Sequence, residues 1–385
     1  MAGRKVCVVV TARSSYSRIK TALRAITDHP DLELQVVVAA SALLDRYGSA
    51  VEQVRSDGFT VDREIFMVLE GETPTATAKT TGLGLLEMAT AFDNLAPDVV
   101  VTVADRYETV ASAVGAAYMN IPLAHVQGGE VTGSIDEKVR HAVTKLADLH
   151  LVSTELAAER VIRMGENPDT VFVTGCPSID LAAEILDAPE MDFDPFERYG
   201  GVGASFDLSG DYLVVLQHPV TTEYEKARAH VTETLHAVDE LELPTLWFWP
   251  NVDAGSDGTS RGIRAFREQY HPESIRFFKN MAPSDFLRVV YNSRAIVGNS
   301  SMAIRECSFL AVPAVNIGSR QAGRERGTNV VDVGYDRSAI AGAIKGLGRR
   351  SRPGSDLTYG DAKAGPRIAE RLAEAELRYD KKLAY

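Results

Sequence analysis

Runs of β-branched and apolar residues recur along the chain, each followed by a stretch whose apolar positions return every three or four residues. KVCVVVTA (5–12) leads into SYSRIKTALRAITDHP (15–30), which a proline stops, and LELQVVVAA (32–40) leads into ALLDRYGSAVEQVRSDG (42–58), which a glycine stops. The rhythm continues with KTTGLGLLEMATAFDNLAP (79–97) as helix, DVVVTVAD (98–105) as strand, YETVASAVGAAYMN (107–120) as helix and IPLAHVQ (121–127) as strand. DEKVRHAVTKLADL (136–149) and ELAAERVIRMG (155–165) read as helices around the strand LHLVST (149–154), and TVFVTG (170–175) reads as one more strand. Unbroken apolar strands alternating with helices predict βαβ units and a parallel sheet covered on both faces.

Residues 186–210, LDAPEMDFDPFERYGGVGASFDLSG, interrupt the rhythm with Pro, Gly and acidic side chains and read as a linker. The pattern restarts with DYLVVLQHP, TLWFWPN, IRFFKN, RAIVGNSS and VPAVNIG as strands separated by helical stretches. The expected organisation is an N-terminal domain over 1–185, a linker over 186–210, a C-terminal domain over 211–365, and a charged amphipathic helix over 366–385 that packs back across the molecule. A chain of 385 residues suits two domains, and it carries no short-period repeat.

Composition narrows the class. With 45% hydrophobic and 24% charged residues the chain reads as soluble and globular, and a net charge of −12 speaks against a sequence-independent nucleic-acid surface. Three scattered cysteines, Cys7, Cys176 and Cys307, form no CxxC or metal-like spacing and suit a reducing, cytoplasmic setting. The N-terminal apolar run is too short for a signal sequence and reads as a first strand, and nothing approaches the ~18 apolar residues of a membrane span. No metal constellation and no cofactor motif stand out: a Walker A loop and a G-x-G-x-x-G after the first strand are both missing.

Ligands of open parallel sheets sit beyond the carboxyl ends of the strands. Polar residues gather at seven such ends: TARSSYSR, DRYE, HVQGGEVTGSIDEKVRH, HPVTTE, NVDAGSDG, NSSMAIRE and SRQAGRERG. In GNSSMAIRECSFL (298–310) a strand ending in glycine runs through Ser300 and Ser301 into an apolar helix. That is an anion site of helix N–H groups and hydroxyls, or an ordinary serine N-cap. Glu306, one to two turns further on, is placed to accept from a ribose diol, or lies on the helix surface. Arg13, Arg106 and Arg320 each follow a strand and offer planar donors for phosphate, or form surface ion pairs.

Taken in order, TARSSYSRIK, DRYE, HVQGGEVTGSIDEKVRHAVTKLADLH, VTGCPSIDL, QHPVTTE, PNVDAGSDG, GNSSMAIRE and GSRQAGRERGTNVVDVGYD resemble the hydrolysing UDP-N-acetylglucosamine 2-epimerases over almost the whole chain. That group includes bacterial sialic-acid pathway enzymes and the epimerase half of an animal bifunctional enzyme. The resemblance implies a GT-B fold, two Rossmann-like parallel-sheet domains facing across a cleft, with sugar and catalytic carboxylates on the N-terminal side and UDP on the C-terminal side. It implies that Arg13, Ser17, Arg106, His218, Asn251, Ser300, Ser301, Glu306 and Arg320 contact UDP or its diphosphate. It assigns catalytic or sugar-binding roles to Asp105, Glu130, Asp136 and His218. The partner expected is a nucleotide sugar, not nucleic acid or membrane, for a homodimer or homotetramer working without metal.

Two departures stand out. The family's usual Gly-Asp-Arg is Ala-Asp-Arg here, with Ala104 for glycine, and its glutamate in H-x-E-G-G-E is Gln127. Glutamine exchanges no proton, though it can orient a sugar hydroxyl or a water. With Gln127 unable to act as acid or base, Asp136 or Glu130 becomes the expected base, with Asp105 handling the other proton. Asp136 is equally suited to cap the helix that follows it.

Overall fold

The computed structural model describes residues 3–45, 48–71, 73–132, 135–250, 255–347 and 352–384. The chain divides into two units: Met1–Glu130, Ile135–Leu181 and Tyr359–Tyr385 in the first, Val131–Ser134 and Ala182–Thr358 in the second.

The first unit is built on seven strands: β1 (Arg4–Val10), β2 (Leu32–Ala39), β3 (Arg63–Ile65), β4 (Val99–Val103), β5 (Leu123–Val126), β6 (Leu149–Val152) and β7 (Val171–Val173). They lie in the order β3-β2-β1-β4-β5-β6-β7, and every adjacent pair is parallel. The reason for the unbroken valine runs is visible in β1. Val6, Val8 and Val10 pack on one face with Ile19, Leu23 and Ile26, while Cys7 and Val9 pack on the other with Met88 and Phe92. A strand with a core on each face has no polar side to show.

The second unit carries β8 (Val202–Gly203), β9 (Leu213–Leu216), β10 (Thr245–Phe248), β11 (Ile275–Phe278), β12 (Ala295–Gly298), β13 (Ala314–Ile317) and β14 (Val330–Val333), in the order β14-β13-β12-β9-β10-β11-β8. All pairs are parallel except the antiparallel edge β8–β11. Leu213, Val215, Trp247, Phe277 and Val297 fill the core on one of its faces.

The segment read as a linker is structured. Its short helix Pro195–Tyr199 is anchored where Arg198 (2.8 Å) and the Tyr199 hydroxyl (2.6 Å) donate to Asp285, and β8 then closes the edge of the second sheet. The tail helix, Ala364–Glu374, belongs to the first unit. Asp180 accepts the N–H groups of Ala364 (3.0 Å) and Gly365 (2.7 Å), and Ile368, Ala369 and Leu372 join the β1 core. Two expected helices are shorter than their patterns: 15–30 divides into Arg13–Ser17 and Lys20–Asp28, and 42–58 into a 3-10 turn Ala40–Leu43 and a helix Ala50–Ser56. Among the described residues no helix is long and apolar enough to cross a membrane.

Candidate functional site

In the first unit the parallel order brings the ends of β1, β4 and β5 to one edge of the sheet. Arg13 opens the short helix after β1, and burial of its guanidinium pulls its pKa down to about 10, which leaves it cationic at neutral pH. The Ser17 hydroxyl donates back to the Arg13 carbonyl at 3.2 Å. Asp105, 8% exposed, follows β4 and is held by Arg140, whose Nη2 donates to its Oδ2, while Arg18 Nη1 stands 3.8 Å from its Oδ1. Arg106 reaches Glu108 through Nε (3.2 Å) and Nη2 (3.1 Å), so this arginine sits beside a fully buried carboxylate.

Glu130 is 3% exposed and offers its carbonyl to Arg140 Nη1 at 2.8 Å. The same Nη1 donates to Glu137 Oε2 at 2.9 Å. Asp136 is the first helical residue of Asp136–Leu146, not its cap; Ile135 occupies the cap position. A carboxylate there still favours the helix dipole. His125 donates from Nε2 to the Ala104 carbonyl (2.8 Å) and accepts from the Thr144 hydroxyl at Nδ1 (3.1 Å). Burial holds its pKa down at about 3, so the ring is neutral. Gln127, at the end of β5, is 1% exposed.

Arg140 is the residue that motif reading passed over. Its position carried a signal: it shares the buried face of its helix with Val139, Val143 and Thr144, so an arginine stands where the periodicity wants an apolar side chain.

Ala104 has φ 63°, a left-handed conformation that costs an L-residue about 1–2 kcal/mol. This is the place where the resembling family has glycine. Ala104→Gly should therefore stabilise the first unit by about 0.5–1 kcal/mol after the entropy of the added glycine is subtracted. The check is the urea midpoint, and a lowered midpoint would mean that the Ala104 methyl packs better than its backbone is strained.

In the second unit β12 ends at Gly298, and Asn299 follows it fully buried. Its Oδ1 accepts the His218 N–H (2.7 Å) and its Nδ2 donates to the His218 carbonyl (2.8 Å), so one side chain grips the backbone at the end of β9 as a neighbouring strand would. Asn299 was not singled out from the sequence. Ser300 caps a 3-10 turn, Ser301–Ala303, accepting the Met302 N–H at 3.4 Å, and Ser301 accepts from Arg305 Nη2 at 2.8 Å. The apolar helix expected after these serines is this single turn followed by a separate helix, Glu306–Phe309. Buried Arg305 stands at the break with φ −93° and ψ −74°. Glu306 thus opens a helix instead of lying one to two turns inside one.

Glu306 is 8% exposed, and its Oε2 is a buried acceptor with no hydrogen-bond partner among the described residues. Such an oxygen is costly unless a donor arrives from outside. Arg320 donates from Nη1 to the Asn299 carbonyl at 3.2 Å, beside the Gln321 amide at 2.9 Å. This edge therefore gathers two serine hydroxyls, a guanidinium and an unsatisfied carboxylate. Asn251 lies outside the described residues. Among the described residues no three His, Cys, Asp or Glu are grouped as metal ligands.

Residues 24–373 match the family model described as UDP-N-acetylglucosamine 2-epimerase. The chain is 32% identical over 370 residues to the UDP-N,N'-diacetylbacillosamine 2-epimerase (hydrolyzing) of Legionella pneumophila, covering 96% of this chain and 95% of that one. It is 30% identical to the polysialic acid biosynthesis protein P7 of Escherichia coli, covering 89% and 85%. Among solved structures, the UDP-GlcNAc 2-epimerase of Methanocaldococcus jannaschii in complex with UDP-GlcNAc and UDP superposes with TM-score 0.80 at 17% identity, over 96% of this chain and 100% of that one. That likeness shows the fold, two Rossmann-like parallel sheets of the GT-B class, as expected. With the family model spanning most of its length, the chain belongs to the UDP-N-acetylglucosamine 2-epimerase family.

Proposed function

We propose that the chain is a hydrolysing UDP-N-acetylglucosamine 2-epimerase, converting UDP-N-acetylglucosamine and water to N-acetylmannosamine and UDP. In this reading the C1–O bond breaks and its electron pair leaves with UDP. A carboxylate, Glu130 or Asp136, takes the C2 proton, and the C2–H electron pair forms the double bond of 2-acetamidoglucal. C1–O cleavage running ahead makes the neighbouring C–H acidic enough to lose, so stabilising the departing diphosphate is the larger share of catalysis. Water then adds its oxygen at C1 and gives up a proton to Asp105 beside Arg140, which hands a proton to C2 from the opposite face, while Glu130 or Asp136 returns the first proton to solvent. On the nucleotide side Ser300, Ser301, His218, Asn251 and Arg320 take the diphosphate, and Glu306 takes the ribose hydroxyls.

The observation that carries the reading is the Glu306 carboxylate oxygen, buried and without a donor among the described residues, one turn past two serine hydroxyls. A diol beside a diphosphate is the ligand that satisfies both. The hydrolysing subtype rests on the Legionella relative, which bears that word in its name. The same relative supports a second reading, identical chemistry on UDP-N,N'-diacetylbacillosamine.

One experiment separates these. The protein is incubated in deuterated water with each of the two UDP sugars, and products are followed by NMR. The expected result is free N-acetylmannosamine carrying deuterium at C2, with UDP released in equal amount and UDP-N-acetylglucosamine the faster substrate. UDP-N-acetylmannosamine as the sole product means the non-hydrolysing reaction. Turnover of the diacetamido sugar alone selects the second reading. UDP binding with no deuterium at C2 ends both, in favour of a glycosyltransferase or a non-catalytic binder.

A further inference from the structure

Arg18, one of the two arginines at Asp105, stands at a break between the helices Arg13–Ser17 and Lys20–Asp28. It closes the first of them at φ −88° and ψ −1°, with its N–H on the Ser15 carbonyl at 3.2 Å. Ile19, at φ −132°, opens the second. Neither helix has a side-chain cap at its start, and the first is five residues long, too short to hold a conformation by itself.

Asp57 ties the two sides of this break together. Tyr16, two residues before Arg18, donates its hydroxyl to Asp57 Oδ2, and Lys20, two residues after it, brings Nζ to 2.8 Å from Oδ1. Each oxygen of one carboxylate thus holds one helix. Asp57 itself ends the helix Ala50–Ser56, with its N–H on the Gln53 carbonyl at 3.0 Å, so the clasp is fastened to a third element. Both groups it holds are buried: Tyr16 is 1% exposed, its ring packed in the β1 core with Ile19 and Leu23, and Lys20 is 8% exposed. Burial pushes the Asp57 pKa up, but the bonds from Lys20 and Tyr16 outweigh it and leave the carboxyl below its ordinary value, so the clasp is an anion at neutral pH.

What the clasp presents is Arg18. Its Nη1 stands 3.8 Å from Asp105 Oδ1, while Arg140 donates to Oδ2. A carboxylate with a cation at each oxygen has its plane fixed, and a group that passes a proton to one face of a sugar depends on that plane.

We propose that Asp57 is a positioning residue: by joining Tyr16 to Lys20 across the break, it sets Arg18 against Asp105 and so fixes the orientation of the Asp105 carboxylate. The proposal rests on the epimerase reading for the proton that Asp105 carries, and on the Tyr16–Asp57–Lys20 contacts for the rest. Tyr16 and Asp57 are 41 positions apart, so no motif contains both.

The test compares wild type, Tyr16→Phe, Asp57→Ala, Arg18→Met and the Asp57→Ala/Arg18→Met double variant in kcat, KM and UDP affinity. Tyr16→Phe, the mildest change, removes one hydroxyl and should lower kcat about threefold. Asp57→Ala releases both helices and should lower kcat about tenfold, with KM and UDP affinity within about twofold of wild type. Arg18→Met should lose at least as much. The double variant should match Arg18→Met, because a residue acting only through Arg18 has nothing left to position. Wild-type kcat in Asp57→Ala, losses that multiply in the double variant, or a loss carried by KM alone would overturn the proposal. If Asp57→Ala does not fold, Tyr16→Phe alone and combined with Arg18→Met decides by the same criteria. Should the wild type turn over no UDP amino sugar, the epimerase reading fails, and the clasp is judged by the Nε–H NMR signal of Arg18. That signal should shift in Tyr16→Phe and further in Asp57→Ala, and a signal unmoved in both refutes the clasp on structural grounds alone.

Discussion

Replacing Arg140 by methionine should take turnover to background and destabilise the first unit by about 3–5 kcal/mol. Arg140 is 1% exposed and serves three acceptors at once: the Asp105 carboxylate, the Glu130 carbonyl and the Glu137 carboxylate. Methionine keeps most of the volume, so the loss is electrostatic and not a cavity. It takes the Arg140 guanidinium away from Asp105, 8% exposed, while Arg18 Nη1 stands 3.8 Å from Oδ1. Breaking a buried pair by removing one partner costs more than the intact pair contributes, which makes this a one-sided change. Lysine should rescue only part, because one ammonium keeps the charge but cannot fork between Asp105 and the Glu130 carbonyl. Urea unfolding measures the first effect and the deuterium-exchange assay the second. UDP affinity is expected to persist if the second unit stays folded, which separates a site effect from global collapse. An unchanged urea midpoint together with normal turnover would remove Arg140 from the site.

The sheets were legible because burial on two faces writes itself into consecutive residues: VCVVV in β1 and VVVTV in β4 leave no polar alternation to misread. The edge strands β3, β8 and β14 escaped, being two to four residues long and largely exposed, where neither run length nor periodicity accumulates. Helical pattern was overestimated at 298–310, where apolar spacing persists through a 3-10 turn and a break at the buried Arg305. The site divides in the same way. Asp105, Gln127 and Glu130 follow strand ends, and strand ends are a sequence feature. Arg140 and Asn299 meet partners 35 and 81 positions away, and no local pattern says which carboxylate or backbone they will meet.

Gly298→Ala should cost the second unit about 3 kcal/mol or more and weaken UDP binding at least about a hundredfold. Two independent effects converge there. The residue has φ 136°, which an L side chain rarely adopts, and an added Cβ would sit 2.2 Å from the Leu216 carbonyl oxygen and 2.6 Å from its carbon. Those are backbone atoms of the paired strand β9, so no rotamer change relieves the contact. Relief requires β9 and β12 to part at the register Gly298↔Leu216, just where Asn299 grips His218 and Ser300 begins its turn. Stability and ligand affinity should thus fall together. Gly342→Ala is the control in the same unit: Gly342 is helical, and an added Cβ meets nothing within 4 Å. There the identical chemical change should stabilise by about 0.5–1 kcal/mol through the ordinary helical preference for alanine, with UDP affinity unaltered. Calorimetric titration with UDP and urea unfolding of the three proteins decide the matter. If Gly298→Ala binds UDP as wild type does, the close approach of β12 to β9 plays no part in shaping the nucleotide end, and the role given to Ser300, Ser301 and Glu306 loses its structural basis.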